Sequence, residues 1–343
     1  MKRTAKKTSR RQFLEQSAAV GALVGFPAIV RSTGTQRFEK PIVAGNNAKE
    51  GDPNFISMSR IPEILKEKYD IEMEFQIHPM STLGTDVSQL EAVQTGFIDM
   101  TSNATAQFSV FSTEFEFVGL PYAITDWDMA DRLYRSDLWK EQAASFEKNV
   151  PVKVLPPLGS GGFRLLWNNV RPLPSPDAVQ GLKFRTVRSP LSIDLIKAWG
   201  GNPTPLPWTE TYNGLKSGIV DGFHVQPIWT YKFNMHEVLK YATEVKALFS
   251  VQFQVMNANT FNSMPESMQG PFMEAAQMAA DEANALDRSL EDSFKAKLVE
   301  AGMEIHTPSA AEAAQWREAG ESVWGTAGKD IDRSVIERMV ALR

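Results

Sequence analysis

Short apolar runs and amphipathic stretches take turns along this chain, and a chain so written has few choices of fold. In "PIVAGNNAKEGDP" an apolar run at 42–44 enters a polar loop at 45–53. "NFISMSRIPEILKEKY" then sets Ile56, Ile61, Ile64 and Leu65 near helical spacing, which predicts an amphipathic helix. "IEMEFQIHP" alternates Ile71, Met73, Phe75 and Ile77 with polar residues, the period of a half-buried strand. Strand, helix and strand in succession predict an α/β domain.

The alternation continues. "LGTDVSQLEAVQTG" reads as a helix closing on Gly96, "FIDMTSN" as a short strand ending in a polar loop, and "EFEFVGLPYAI" as a further strand entering a proline turn. "GSGGFRLLWNNVRPLPSP" breaks the series: Gly159, Gly161 and Gly162 supply flexibility, and a strand at 163–167 opens a second α/β unit. That unit holds the strand of "GLKFRTVRSP", a helix at 191–199, a proline-rich link "GNPTPLPW", the helix "TETYNGLKSG" capped by Thr209, and the short strand "IVDGFHV". "LFSVQFQVMNANTF" is β-rich and suits a crossover back to the first unit, and the residues after Pro265 are mostly helix formers. Two α/β domains are therefore expected, 34–160 with about 252–293 and 161–251. Helices at 294–343 would pack across them, and the crossovers imply a cleft that closes by hinge motion.

A length of 343 residues is sufficient for two such domains. Charge is uneven. Residues 1–31 hold Lys2, Arg3, Lys6, Lys7, Arg10, Arg11 and Arg31 against Glu15, so they carry +6 of a net −5 and leave the rest near −11. That acidity argues against nucleic acid or an anionic membrane surface as a partner. The basic head reads as an export signal at 1–33, with an apolar run at 18–30 too short to span a bilayer. Its "SRRQFL" matches the twin-arginine pattern of the folded-protein export route. The absence of cysteine excludes thiol nucleophiles and Cys-ligated metals and fits an oxidising compartment, so a periplasmic location is expected.

The chain shows no catalytic signature. His78, His224, His236 and His306 are scattered without H-E-x-x-H spacing, and no G-x-S-x-G turn occurs. "GSGGFR" lacks the Lys-Ser/Thr of a phosphate loop. The reading is a binding protein without metal or cofactor.

Ligands of open α/β sheets sit at the carboxyl ends of strands. Asn46, Asn103, Thr105 and Gln107 stand at such places, although residues of these types are also common turn formers. Arg185 lies within an apolar strand, and a buried guanidinium requires acceptors. One of the chain's 41 acids could provide them as an internal ion pair. Alternatively the planar fork clamps a ligand carboxylate. Arg164, early in another apolar strand of the same unit, favours a shared anionic ligand. Trp167, Trp208 and Trp229 fall near strand ends or loops, where an indole can pack on a ligand's apolar face.

"STLGTDVSQLEAVQTGFIDMT", "VGLPYAI", "GLKFRTVRSP" and "GNPTPLPWTETYNGLKSGIVDG", in that order, resemble successive motifs of the solute-binding proteins of TRAP transporters, the DctP type. The resemblance spans essentially the whole mature chain. It implies a two-domain, type II-like periplasmic-binding-protein fold and a monomeric receptor that closes on a small organic acid and delivers it to a membrane permease pair. It also implies that Arg185 holds the substrate carboxylate, that Arg164, after Phe163, makes a second contact, and that Trp208 packs on the ligand. Arg188 stands where a polar contact such as Asn is usual and would add a cation. "VDGFHVQP" is one residue longer than the family's V-D-G-Q-E-N-P, so Gln226 or His224 would replace the ligand-contacting Asn, with Trp229 just beyond. Ala104 and Gln107 occupy the places of the Glu and Arg of sialic-acid binders, so sialic acid is not expected. The Trp-Glu pair of the keto-acid subgroup is unmatched at "FHVQ". Trp208 and Trp229 suit an aromatic or other compact mono- or dicarboxylate better than a long sugar acid. Two alternatives remain at this stage, a sensory binding protein for a membrane kinase and a twin-arginine-exported enzyme.

Overall fold

The structure, a computed structural model, describes residues 35–343; the twin-arginine segment lies outside the described residues. Strands and helices alternate as β1 (Gln36–Asn46), α1 (Pro53–Tyr69), β2 (Ile71–His78), α2 (Asp86–Thr95), β3 (Met100–Ala104), α3 (Thr105–Phe108), α4 (Trp127–Arg135), α5 (Asp137–Asn149), β4 (Val152–Val154) and β5 (Leu158–Phe163). The chain continues with β6 (Leu165–Asn168), β7 (Lys183–Thr186), α6 (Pro190–Ala198), β8 (Asn202–Pro205), α7 (Trp208–Lys216), β9 (Gly222–Val225), α8 (Pro227–Lys232) and β10 (Tyr241–Thr243). It ends with β11 (Phe249–Asn257), α9 (Ala258–Ser263), α10 (Glu266–Glu300), β12 (Glu304–His306), α11 (Ala310–Glu321) and α12 (Arg333–Val340).

The strands form two sheets, as a two-domain α/β fold requires. The first has the order β2-β1-β3-β11-β4, with β5 also on β11; the second runs β12-β10-β6-β9-β7-β8. In the first, β1 is parallel to β2 and β3, while β11 is antiparallel to β3, β4 and β5. The chain passes between sheets at Arg164, between β5 and β6, and returns through 244–248. The two crossings are tied together: the Arg164 N–H donates to Leu248 O at 3.0 Å.

The hydrophobic pattern accounts for the layers. Ile42 and Ala44 of β1 and Ile71 and Met73 of β2 face Met58, Ile61, Ile64 and Leu65 of α1 in one buried cluster. α10 joins this cluster through Phe272, Ala275, Ala276 and Ala279, small side chains that let a long helix lie close. Each fully buried Ile, Leu or Met contributes roughly 1.5–3 kcal/mol. Gly96 closes α2 in the left-handed region at φ 75, its N–H on Ala92 O and Val93 O, as its place in the sequence predicts.

Several local expectations are corrected. Residues 116–119 form a short 3-10 turn, not a strand: Phe115 and Phe117 alternate with acids in sequence yet both enter one aromatic cluster with Trp139, Phe146 and Phe253. The proline-rich link contains β8, an edge strand on β7, the place where missing N–H groups do no harm. α7 begins at Trp208 after Pro207, so Thr209 is inside the helix and caps nothing. The strand expected at 163–167 is interrupted at Arg164, where the chain changes sheet. Finally, the glycines of "GSGG" serve close packing, not flexibility. A Cβ on Gly159 would come within 2.6 Å of the Trp127 ring, and Gly161 and Gly162 adopt φ 82 and 71, which side chains rarely do.

Candidate functional site

Arg185 occupies the middle of β7, hydrogen-bonded into the sheet between β8 and β9. The residue is only 7% exposed. Nε donates to Leu206 O at 3.0 Å, and the guanidinium lies 5.6 Å from the centroid of the Trp208 ring. Arg164 is placed at the β5–β6 crossing, and its Nε donates to Ser250 Oγ at 2.8 Å. Among the described residues neither guanidinium has an ion-pair partner within 4 Å. Burial lowers the pKa of each to about 10, with the nearby Asp86 opposing that shift at Arg185 and the Arg164 charge adding to it. The internal salt bridge that a lone strand arginine invites is therefore not what this fold builds.

Both arginines line one cleft between the sheets, together with Asn47, Asp86, Ala104, Gln107, Ser160, Val187, Trp208, Val225, Gln226, Trp229 and Gln252. Its free space is about 60 Å³, the size of a few water molecules, so the walls stand close together. Trp208 and Trp229 meet edge to face at 5.5 Å, and Phe233 packs against both. The walls also touch through polar groups: Trp229 Nε1 donates to Ser160 Oγ at 3.0 Å and Gln226 Nε2 to Ser160 O at 2.5 Å. Gln252 is held by Asn54 and Ser102.

The sequence brought Arg185, Arg164, Trp208, Gln226, Gln107 and Trp229 forward, and all six line this cleft. The other six do not. Asn46 is turned inward, its amide on Asn54 O and its oxygen on the Ala48 N–H. Asn103 is fully buried beneath the cleft wall between Thr101 and Asp86. Thr105 donates to Val251 O and lines a separate recess on the far side of Arg164. Phe163 packs edge-on against Phe249 behind the crossing. Arg188 is exposed one residue past Val187, because side chains alternate along an extended segment. His224 packs against Trp199 at 5.2 Å, and burial and the Arg164 charge hold its pKa well below the ordinary range. Trp167 is core, its Nε1 on Val225 O.

Asn47, Asp86, Ser160 and Gln252 were missed. Asp86 begins α2, where an acid is an unremarked helix-terminus residue. Here it is 7% exposed and receives Asn47 Nδ2 at 3.1 Å and Gln107 Nε2 at 2.8 Å. Burial raises its pKa, while Arg185 and the two amides pull it down.

A cleft between two sheets, walled by both and lined by cations that have no ion-pair partner among the described residues, by aromatic rings and by fixed amides, defines a binding protein for a small polar solute. Residues 44–330 match the model of the family described as bacterial extracellular solute-binding protein, family 7 (DctP), and the chain belongs to that family. It is 28% identical over 270 residues to the 2,3-diketo-L-gulonate-binding periplasmic protein YiaO of Escherichia coli K12, covering 77% of this chain and 80% of that one. In structure it is similar to a TRAP periplasmic solute-binding protein from Sulfurospirillum deleyianum with bound succinate, at a TM-score of 0.83, 21% identity and 88% and 99% coverage. It is likewise similar to one from Roseobacter denitrificans with bound β-D-glucuronate, at 0.82, 24% identity and 88% and 99% coverage.

Proposed function

We propose that this protein is the periplasmic receptor of a TRAP transporter, which closes on a small organic acid and passes it to membrane permease subunits. Arg185 and Arg164 clamp the carboxylate, and Trp208 packs on the ligand's carbon skeleton. The observation that carries this reading is the pair of enclosed guanidiniums, facing one cleft and without an acid partner within 4 Å among the described residues. A cation so placed is costly unless a ligand supplies the anion. Charge-assisted hydrogen bonds contribute about 1.5–3 kcal/mol each, sufficient for micromolar binding from two clamps after ordering costs. Export follows the twin-arginine route through "SRRQFL", and the mature receptor acts as a monomer.

A thermal-shift screen of the purified protein against organic acids tests the clamp. A ligand bound only by the folded state adds RT ln(1 + [L]/Kd) of stability, so a binder raises the midpoint and Arg185→Ala abolishes the rise. An acid that shifts wild type and Arg185→Ala equally would return Arg185 to a purely structural role.

A further inference from the structure

The polar groups of the cleft are sorted by kind. Arg185 and Arg164 offer N–H donors. Asp86, Asn47 and Gln107 offer something else, and Asp86 is the reason. Its Oδ1 takes the Asn47 amide at 3.1 Å and its Oδ2 the Gln107 amide at 2.8 Å. Each amide that spends its N–H₂ on Asp86 must present its oxygen elsewhere. Asn47 shows the result: Asn47 Oδ1 is buried without a hydrogen-bond partner among the described residues, in a residue 7% exposed. A carboxylate has about four acceptor positions, and the two amides fill two of them, so Asp86 retains acceptor capacity. A buried acceptor without a donor is costly, and Asn47 and Asp86 both line the cleft.

We infer that this receptor selects hydroxylated monocarboxylates over dicarboxylates, with Asp86 as the specificity-determining residue, an inference that rests on the carboxylate-clamp reading above. The ligand's carboxylate meets Arg185 and Arg164, and a hydroxyl elsewhere on the skeleton donates to Asn47 Oδ1 and Asp86. Charge leads to the same class. Two guanidiniums and one carboxylate leave a single positive charge, which one ligand carboxylate neutralises. A second ligand carboxylate would stand beside Asp86 in a water-poor space, with acceptors facing acceptors. This narrows the sequence-based expectation, which admitted dicarboxylates and disfavoured sugar acids.

Calorimetric titration of the wild-type protein with length-matched acids tests this without any variant. Butyrate, 4-hydroxybutyrate and succinate differ only at C4; erythronate and glucuronate extend the hydroxylated series and malate the dicarboxylates. The expected result is binding of a hydroxylated monocarboxylate about 10- to 100-fold tighter than of its matched dicarboxylate or dehydroxylated analogue. Asp86→Asn should lose that preference, weakening the hydroxy acid and narrowing its margin over the dicarboxylate, with Arg185→Ala removing both classes. Tightest binding of succinate or malate by wild type, or of butyrate equal to 4-hydroxybutyrate, overturns the role of Asp86 and leaves the clamp standing. Failure of every acid to bind overturns both.

Discussion

Trp208 gives the cleft its apolar wall and is also the residue on which Arg185 leans, 5.6 Å from guanidinium to ring. It is braced edge-on by Trp229 at 5.5 Å and Phe233 at 5.1 Å. Trp208→Ala removes the stacking surface and frees the guanidinium to take other rotamers, so the dissociation constant should rise about tenfold or more, a cost of ~1.5 kcal/mol consistent with aromatic and cation–π contributions. Trp208→Phe keeps a ring at the same place and should recover most of that loss. Calorimetry with the best acid from the screen checks both, and equal affinities for Ala and wild type would remove Trp208 from the site. At this scale the sequence was most informative where chemistry conflicts with context: Arg185 and Arg164 are cations in apolar strands, and that conflict has few resolutions. Asp86 carries no such conflict, since an acid in a helix's first turn needs no explanation. Asn46 and Asn47 are adjacent and chemically identical, and the inward hydrogen bonds of Asn46 to Asn54 O and from the Ala48 N–H leave Asn47 for the cleft.

Among the elements, α10 acts through a row of acceptors along one face. Asn284 Oδ1 receives the Gly159 N–H at 2.6 Å, Asp287 receives the Gly161 N–H, and Glu291 Oε2 receives Trp127 Nε1 at 2.8 Å. Thus the helix grips β5 just before the chain changes sheet. Its content of helix formers made helix legible in sequence after Pro265, but the grip was not, because acids in a long helix are ordinarily a solvated face. Asp287 is 2% exposed, and burial, with Glu291 and Asp52 adding repulsion, raises its pKa to about 7 despite the Gly161 N–H. A carboxyl raised in the folded state binds more protons there than when unfolded. Its stabilisation is therefore complete below pH ~4 and is lost as pH rises through 7. Asp287→Asn, which can still accept from Gly161, should melt higher than wild type above pH 7, by the equivalent of a few kcal/mol at most, with the difference vanishing near pH 4. His224 acts in the opposite sense: kept neutral when folded, it lowers stability as pH falls below about 6.5. Melting curves of wild type and Asp287→Asn from pH 4 to 8 cancel the shared His224 contribution. A pH-independent gap between the two would mean that Asp287 is ionised throughout.

At the scale of the whole molecule, the two sheets meet at the lip of the cleft as well as inside it. Lys232, ending α8, pairs with Asp52, which precedes α1, and Lys49 Nζ reaches Lys232 O while lying 5.2 Å from the Phe233 ring centroid. None of these groups lines the ligand cleft, so their contribution to binding is to the closed arrangement alone. The two-sheet plan was readable from the alternation of strands and helices, whereas these lip contacts join residues 180 and 183 positions apart in sequence and have no local pattern. Asp52 is 8% exposed at its side chain and Lys232 28%, so the pair is better enclosed than the exposed ion pairs that contribute about 0–1 kcal/mol. Lys232→Met keeps the apolar stem and removes the charge, which should lower the closed fraction and weaken apparent affinity several-fold to about tenfold, since apparent Kd scales inversely with the competent fraction. The same variant should show a larger radius of gyration than wild type by small-angle scattering without ligand, and saturating acid should restore the compact value, because ligand makes up the closing free energy that the lost pair withheld. Weakened affinity with an unchanged radius would instead place the effect inside the cleft, through displacement of α8 and Trp229, and not in closure.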